Sequence, residues 1–347
     1  THLHVKAHKN HLFFSFAGSA QHSGIGRPYA WTIVTGSGEL AIGDTITNFV
    51  TLPGSEVGAA LGILSRNRTH ILYGTSSADW ELIPFREEVG AYAYSAQEFG
   101  MALCLDDQGV RNIMAGQEFG NFQSNMLSRS IQTWINSHKT NIKASCICRD
   151  KSQYRLFFTD STALYITTEN RKIVGMTTQL LVDDVTCVTS RENSSGQEEI
   201  FFGSSDGIVY QMEKGTSHDG DAIEMIMEFN YSHLGSPRNL KGFKDISLEV
   251  SGSSYAEFTF TCKLGYASTL IPQPGTVTEV TNFSEVRWDA FTWDAFIWDG
   301  VTLQPNNVKL AGDAENISLI MRSNQDYFGP VTFSGALIHY SPRSQLR

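Results

Sequence analysis

The stretch "IFFGSSDGIVYQM", Ile200–Met212, is a run of apolar and aromatic residues, a small polar turn and a second apolar run. Its centre, Asp206-Gly207, is the residue pair favoured in a type I′ hairpin turn, where both central residues need positive φ. The segment therefore reads as a β-hairpin. The same three-part pattern returns in "ILYGTSSADWEL" from Ile71, "ALCLDDQGVRNI" from Ala102 and "LFFTDSTALYIT" from Leu156. "HLFFSF" from His11 looks like the first arm of another. One hairpin per unit, recurring at an irregular period of roughly 30 to 50 residues, is the pattern of propeller-like blades. Each blade needs neighbours to bury both of its faces, so the hairpins are expected to stack.

Working outward, helical periodicity is scarce. The best candidate is "SNMLSRSIQTWINSHKT", Ser124–Thr140. There Met126, Leu127, Ile131, Trp134 and Ile135 fall near one helical face, with Ser124 placed to cap it. A helical insertion over 124–140 is expected. Gly, Pro and basic residues then cluster in "SHLGSPRNLKGFKD", Ser232–Asp245, as in a linker. Beyond it Ile246, Leu248 and Val250 share one strand face, as do Phe258, Phe260 and Cys262, and again Ile317, Leu319 and Met321. The fold class is all-β: a propeller-like repeat domain over 1–239 with one short helical insertion, and an antiparallel sheet or sandwich domain over 240–347.

Composition agrees. The chain has 347 residues, 41% hydrophobic and 18% charged, with 30 Gly and 21 Phe, which suits strands and tight turns. Net charge of -10 argues against a nucleic-acid binder held by a basic patch. It fits a soluble protein, or one lining a path along which DNA slides without sticking. No apolar run is long enough for a membrane span, and no signal-peptide pattern is seen. The first residue is Thr1 rather than Met, which reads as a processed or trimmed chain. The five Cys are odd in number, and Cys146 and Cys148 lie two residues apart, a spacing of neither redox nor zinc motifs. Buried reduced thiols, made in a reducing compartment, are expected.

Candidate chemistry is thin. "SSDGIVY" invites comparison with the Asp-box of sialidase propellers, but Asp206 and Gly207 are adjacent and the aromatic is Tyr210, so the hairpin reading stands. His2, His4, His8 and His11 crowd the first residues without a nearby Cys or carboxylate. They suit a solvent-exposed or subunit-contact strand better than a metal site. "GSAQHSGIGRP", from Gly18, lacks the Lys-Ser/Thr and the helix of a phosphate loop. Asp106-Asp107 and Asp183-Asp184 are adjacent pairs, which point to opposite sides of a strand and cannot face one another across a substrate. No catalytic, cofactor-binding or metal-binding residue is expected.

The segment "RWDAFTWDAFIWDG", Arg287–Gly300, sets Trp288, Trp293 and Trp298 each before an Asp. A five-residue period fits neither one strand face nor one helix face. These tryptophans are expected to plug apolar sites within the fold or between subunits; a sugar-stacking ladder and a metal site are the alternatives.

The order of these motifs resembles that of the tail hub or nozzle proteins of short-tailed bacteriophages. The resemblance is carried by "ALGILSRNRTHILYGTSSADWEL", "GAYAYSAQEFGMALCLDDQGVRNI", "SRSIQTWINS", "QYRLFFTDSTALYI" and the closing "SLIMRSNQDYFGPVTFSGALIHYSPRSQLR". It runs from about Leu61 onward. It implies a structural subunit, not an enzyme, that joins copies of itself in a six-fold ring within the virion tail, assembled in the host cytoplasm. The implied neighbours are the tail adaptor and the tail fibre or tailspike proteins. Double-stranded DNA would pass the lumen as non-specific cargo. The competing readings are a carbohydrate-binding or glycoside-cleaving propeller, such as a receptor-binding protein, and a cytoplasmic propeller scaffold.

Overall fold

The structure, a computed structural model, describes residues 4–52, 60–87, 89–115, 122–126, 128–170, 172–252, 255–282, 306–325 and 331–345. The fold is all-β and the chain forms two compact units, Thr1–Glu213 and Lys214–Arg347.

The first unit is a propeller-like series of five antiparallel sheets in chain order. The first holds β1 (Val5–His8), β2 (His11–Phe16), β3 (Ser19–His22) and β4 (Gly38–Ala41). The second holds β5 (Ile46–Leu52), β6 (Ala60–Ser65), β7 (Arg68–Tyr73) and β8 (Glu81–Glu87). The third holds β9 (Gln97–Glu98), β10 (Ala102–Asp106), β11 (Gly109–Ala115) and β12 (Phe122–Met126). After α1 (Gln132–His138), the fourth holds β13 (Ile142–Cys148), β14 (Gln153–Phe158), β15 (Thr162–Glu169) and β16 (Lys172–Leu180). The fifth has three strands among the described residues, β17 (Val185–Glu192), β18 (Glu198–Ser204) and β19 (Val209–Gln211). Every strand pairs with its sequence neighbour, so each sheet is a meander built from local turns.

All of the quoted hairpins form. Three supply the second and third strands of their sheets, while Ile71–Leu82 supplies the third and fourth. The turn after Ile200 differs from the expected type. Gly207 alone has positive φ, at 83°, and Ser204 N–H donates to the Ile208 carbonyl at 2.8 Å. The loop is longer than a type I′ pair, and glycine fills its single left-handed position.

Stacking explains the strand sequences. Every residue of β6 is buried. Leu61 and Ile63 pack toward the first sheet with Phe13, while Ala60 and Leu64 pack toward the third with Cys104. In β14, Leu156 joins the core shared with the third sheet and its neighbour Phe157 the core shared with the fifth. Strands covered on both faces need continuous apolar runs, not alternation. Cys146 and Cys148 do share one buried face, against the fifth sheet. Cys104 and Cys262 are also buried, but Cys187 is exposed, contrary to expectation, because its neighbour Val188 packs toward the fourth sheet and Cys187 points away from that core.

The helical insertion is shorter than read. Ser124 lies in β12, paired with Ile113, and so cannot cap a helix. The α-helix begins at Gln132 and buries Ile135 in the core between the third and fourth sheets, with Ile131 and Trp134 beside it. Backbone pairing with β11 overrides helical periodicity over 124–126.

In the second unit, β20 (Ile223–Glu228), β21 (Asn239–Gly252), β22 (Tyr255–Leu264), β23 (Val277–Asn282), β24 (Asn306–Ala314), β25 (Ile317–Gln325) and β26 (Val331–Gln345) form two sheets, ordered β20-β25-β22-β23 and β24-β21-β26. The three expected strand faces meet in one core: Ile246, Leu248 and Val250 from one sheet, and Phe258, Phe260, Cys262, Ile317, Leu319 and Met321 from the other. This is a two-layer sandwich. The division between the units falls at Glu213/Lys214 rather than 239/240, because β20 pairs along its whole length with β25. Lys241 is buried at the start of β21. Its ammonium donates to the carbonyls of Ser236, Asn239 and Glu315 at 2.6, 3.1 and 2.9 Å, tying the segment before β21 to the β24–β25 turn.

Candidate functional site

The first strands of all five sheets border one cavity of about 600 Å³ on the propeller-like axis, with Lys6, Val50, Gln97, Ser145 and Thr189 contributed in turn by β1, β5, β9, β13 and β17. Lys6 Nζ reaches from the first sheet to the third, 3.5 Å from Glu98 Oε2. Gln97 Nε2 donates to Ser145 O and Oγ at 2.9 and 3.0 Å, linking the third sheet to the fourth. This ion pair and these hydrogen bonds tie the sheets together beside the cavity. Glu98 is the one carboxylate among the described lining residues, so no acid/base pair converges there.

Asp106 and Asp107 turn to different partners, and Asp183 and Asp184 lie in a bend between β16 and β17. Asp106 turns inward to Arg111 and accepts from the Gln108 and Gly109 N–H groups at 2.7 and 2.8 Å. Asp107 turns outward to Arg66 at 2.7 Å and the Tyr92 hydroxyl at 2.9 Å. Asp183 accepts from the Asp184 N–H, and Asp184 from the Ser161 hydroxyl at 2.7 Å. All act as turn and loop fasteners.

The amino-terminal histidines are not a solvent-exposed strand. His8 and His11 are buried, and His22 joins them on the face of the first sheet that meets the second. The His11 and His22 rings stand edge-on to Trp80, with centroids at 4.7 and 4.6 Å, and each Nδ1–H donates to the Ser23 carbonyl, at 2.6 and 3.2 Å. Burial, followed by the positive charges of Lys9 and Lys6 and by His11, pushes the His8 pKa down to about 4. Burial also lowers His4 and His22. His2 lies outside the described residues. Among the described residues no three His, Cys, Asp or Glu side chains are grouped to hold a metal.

A buried guanidinium closes the fourth and fifth sheets. Arg155 is fully buried; its Nε and Nη2 donate to Gln153 Oε1 at 3.0 and 2.7 Å, Nη2 also reaches Glu213, and its plane lies 4.3 Å from the Tyr165 ring centre. Lys151 Nζ adds a second contact to Glu213 at 2.8 Å. Burial raises the Glu213 pKa, but Lys151 and Arg155 outweigh it and hold the carboxyl below its usual range.

The surfaces with most to offer a partner are the two end sheets. Phe13 packs toward the second sheet, so its neighbour Phe14 faces the other way. Val5 is paired with Phe14, and Phe16 follows two residues on. The β3–β4 loop adds Ile25, Tyr29, Trp31, Ile33 and Val34, all exposed, with Val34 98% and Ile33 88% accessible. The loop is built, not slack. Trp31 Nε1 donates to the Pro28 carbonyl at 2.9 Å, its ring sits 5.0 Å from Phe14, and Gly24 N–H donates to the Ala30 carbonyl at 3.1 Å. Trp31, Phe14 and Ile33 wall a recess of about 550 Å³ that also holds Gln21 and Glu39. At the other end of the series, Ile208 and Val209 of the fifth sheet are exposed, as is Cys187. The sequence carried the signal for the first surface: "GIGRPYAWTIVTG" is apolar where a loop should be polar, and "HLFFSF" is apolar at consecutive positions. Trp288, Trp293 and Trp298, the sequence-predicted contact residues, lie outside the described residues.

No protein-family model matches the chain. None of the curated proteins matches it in sequence. Among solved structures it is similar to a chain in the crystal structure of BBS1N in complex with ARL6DN, at 10% identity and a TM-score of 0.38. The similarity covers 58% of this chain and 56% of that one, so just over half of each is matched.

Proposed function

We propose that the chain is a structural, non-enzymatic subunit of the tail of a short-tailed bacteriophage, part of the nozzle or hub ring around the DNA ejection path. The observation that carries this reading is the exposed apolar surface of the first sheet and its β3–β4 loop, with Val34, Ile33 and Tyr29 each more than four-fifths exposed. Soluble monomers rarely leave large apolar patches open; permanent interfaces use them. The ordered, hydrogen-bonded loop supports an interface that is preformed. The net charge of -10 supports DNA as cargo rather than ligand, since an acidic wall repels phosphates. The order of the hairpins, the short helix and the closing strands supports the tail family. On this reading the tail adaptor and a fibre or tailspike protein flank the ring, which is six-fold.

Electron micrographs of the purified chain test the reading. Discrete rings with a lumen wide enough for a double helix, and no retention of duplex DNA at physiological ionic strength, are expected. Particles without a lumen, or tight DNA binding, would overturn it.

A further inference from the structure

We propose that copies of this chain join head to tail, the outward face of the first sheet of one copy seating on the outward face of the fifth sheet of a second copy. This rests on the ring reading above and adds which surfaces meet.

Buried apolar clusters join the first sheet to the second, the second to the third, the third to the fourth and the fourth to the fifth. Among the described residues none joins the fifth to the first. A series of stacked repeats stays soluble by ending in polar caps. Among the described residues, both ends expose apolar side chains. The first sheet presents Val5 at 58%, Phe16 at 46% and Trp31 at 38% exposure. On the fifth sheet Val188 and Phe202 face the fourth, so Cys187, Phe201 and Val209 face outward. Val209 is 70% exposed.

The two faces are unlike. The first holds a recess of about 550 Å³ with an aromatic wall fixed by the Trp31–Pro28 hydrogen bond. The fifth exposes Val209 at the start of β19, with Ile208 exposed in the turn before it. Glu39 lies at the recess; Arg191 lies on the fifth-sheet face, stacked 5.0 Å over Phe201 and paired with Glu199 at 3.1 Å. Like faces in a two-fold dimer would set recess against recess and leave both unfilled. Unlike faces give a heterologous contact, the kind that closes into rings.

The test is a complementation experiment on the full chain. Ile33→Asp places a charge in the recess wall, and Val209→Asp places one on the fifth-sheet face. Both positions are exposed, so unchanged far-ultraviolet circular dichroism is expected and verifies folding, while the thermal midpoint falls with loss of the interface. Each variant alone should lose assembly and sediment as a single chain. Mixed in equal amounts they should form dimers that grow no further, because each retains one intact face. Two outcomes would overturn the proposal. Assembly of both variants like the parent would leave the ring reading standing and place its contacts elsewhere. A mixture that stays monomeric would show that the faces do not pair. A parent chain that never assembles would fail the ring reading itself, and is told apart by the parent control.

Discussion

Replacing Arg155 by alanine is expected to destabilise the first unit by about 3 kcal/mol, the lower end of the range for breaking a buried ion pair. The guanidinium is fully buried, while the side chain of Glu213 is 36% exposed, so the attraction is partly screened and the upper end of the range does not apply. Most of the loss comes from what the deletion leaves behind. Gln153 Oε1 loses two donors, the Tyr165 ring loses its stacked partner, and a large side-chain volume empties between the fourth and fifth sheets. Lys151 keeps Glu213 partly compensated. Urea denaturation followed by circular dichroism measures this. A loss below about 1 kcal/mol would mean that Arg155 does not hold the end of the first unit, since changes at ordinary surface positions fall within about 0.5 kcal/mol.

The second large effect is acid lability in a defined window. The folded-state pKa of His8 is about 4 and its unfolded value about 6.5. Between these values the unfolded chain binds more protons than the folded one, so stability rises with pH across the window. The contribution is complete above about pH 6.5 and is lost as pH falls toward 4. At about 1.4 kcal/mol per unit of pKa separation, His8 alone accounts for roughly 3 kcal/mol. His4 and His22, lowered by burial, act in the same direction. Glu213 also loses its contribution on acidification, but below the usual carboxylate range, so the windows separate. A clear fall of the thermal midpoint between pH 7 and pH 5 is expected, and His8→Met should flatten it. Equal midpoints at the two values in the parent chain would contradict the buried, neutral state of His8.

The all-β class, the hairpins and the sandwich faces were legible because each rests on local chemistry. Gly207 marks its turn, and the alternation at Ile246, Leu248 and Val250 marks a strand covered on one side. The start of the helix was not legible. Over Ser124–Met126 helical periodicity competes with pairing to β11, and periodicity does not reveal the partner strand. Histidine burial was hidden for a similar reason: Trp80, which packs against His11 and His22, comes from the loop before β8, far along the chain. The division between units was misplaced because the partner of β20 arrives almost a hundred residues later in β25. The end faces could have been suspected from "AWTIVTG". The residue pattern alone does not say which sheet faces end the series; only the stack does.

The most direct test of the central claim is the mass of the full chain at neutral pH by sedimentation velocity across a concentration series. A series of sheets with apolar side chains exposed at both ends predicts a discrete species at a fixed multiple of the single-chain mass, six for the ring proposed above. A single-chain species at every concentration would contradict it.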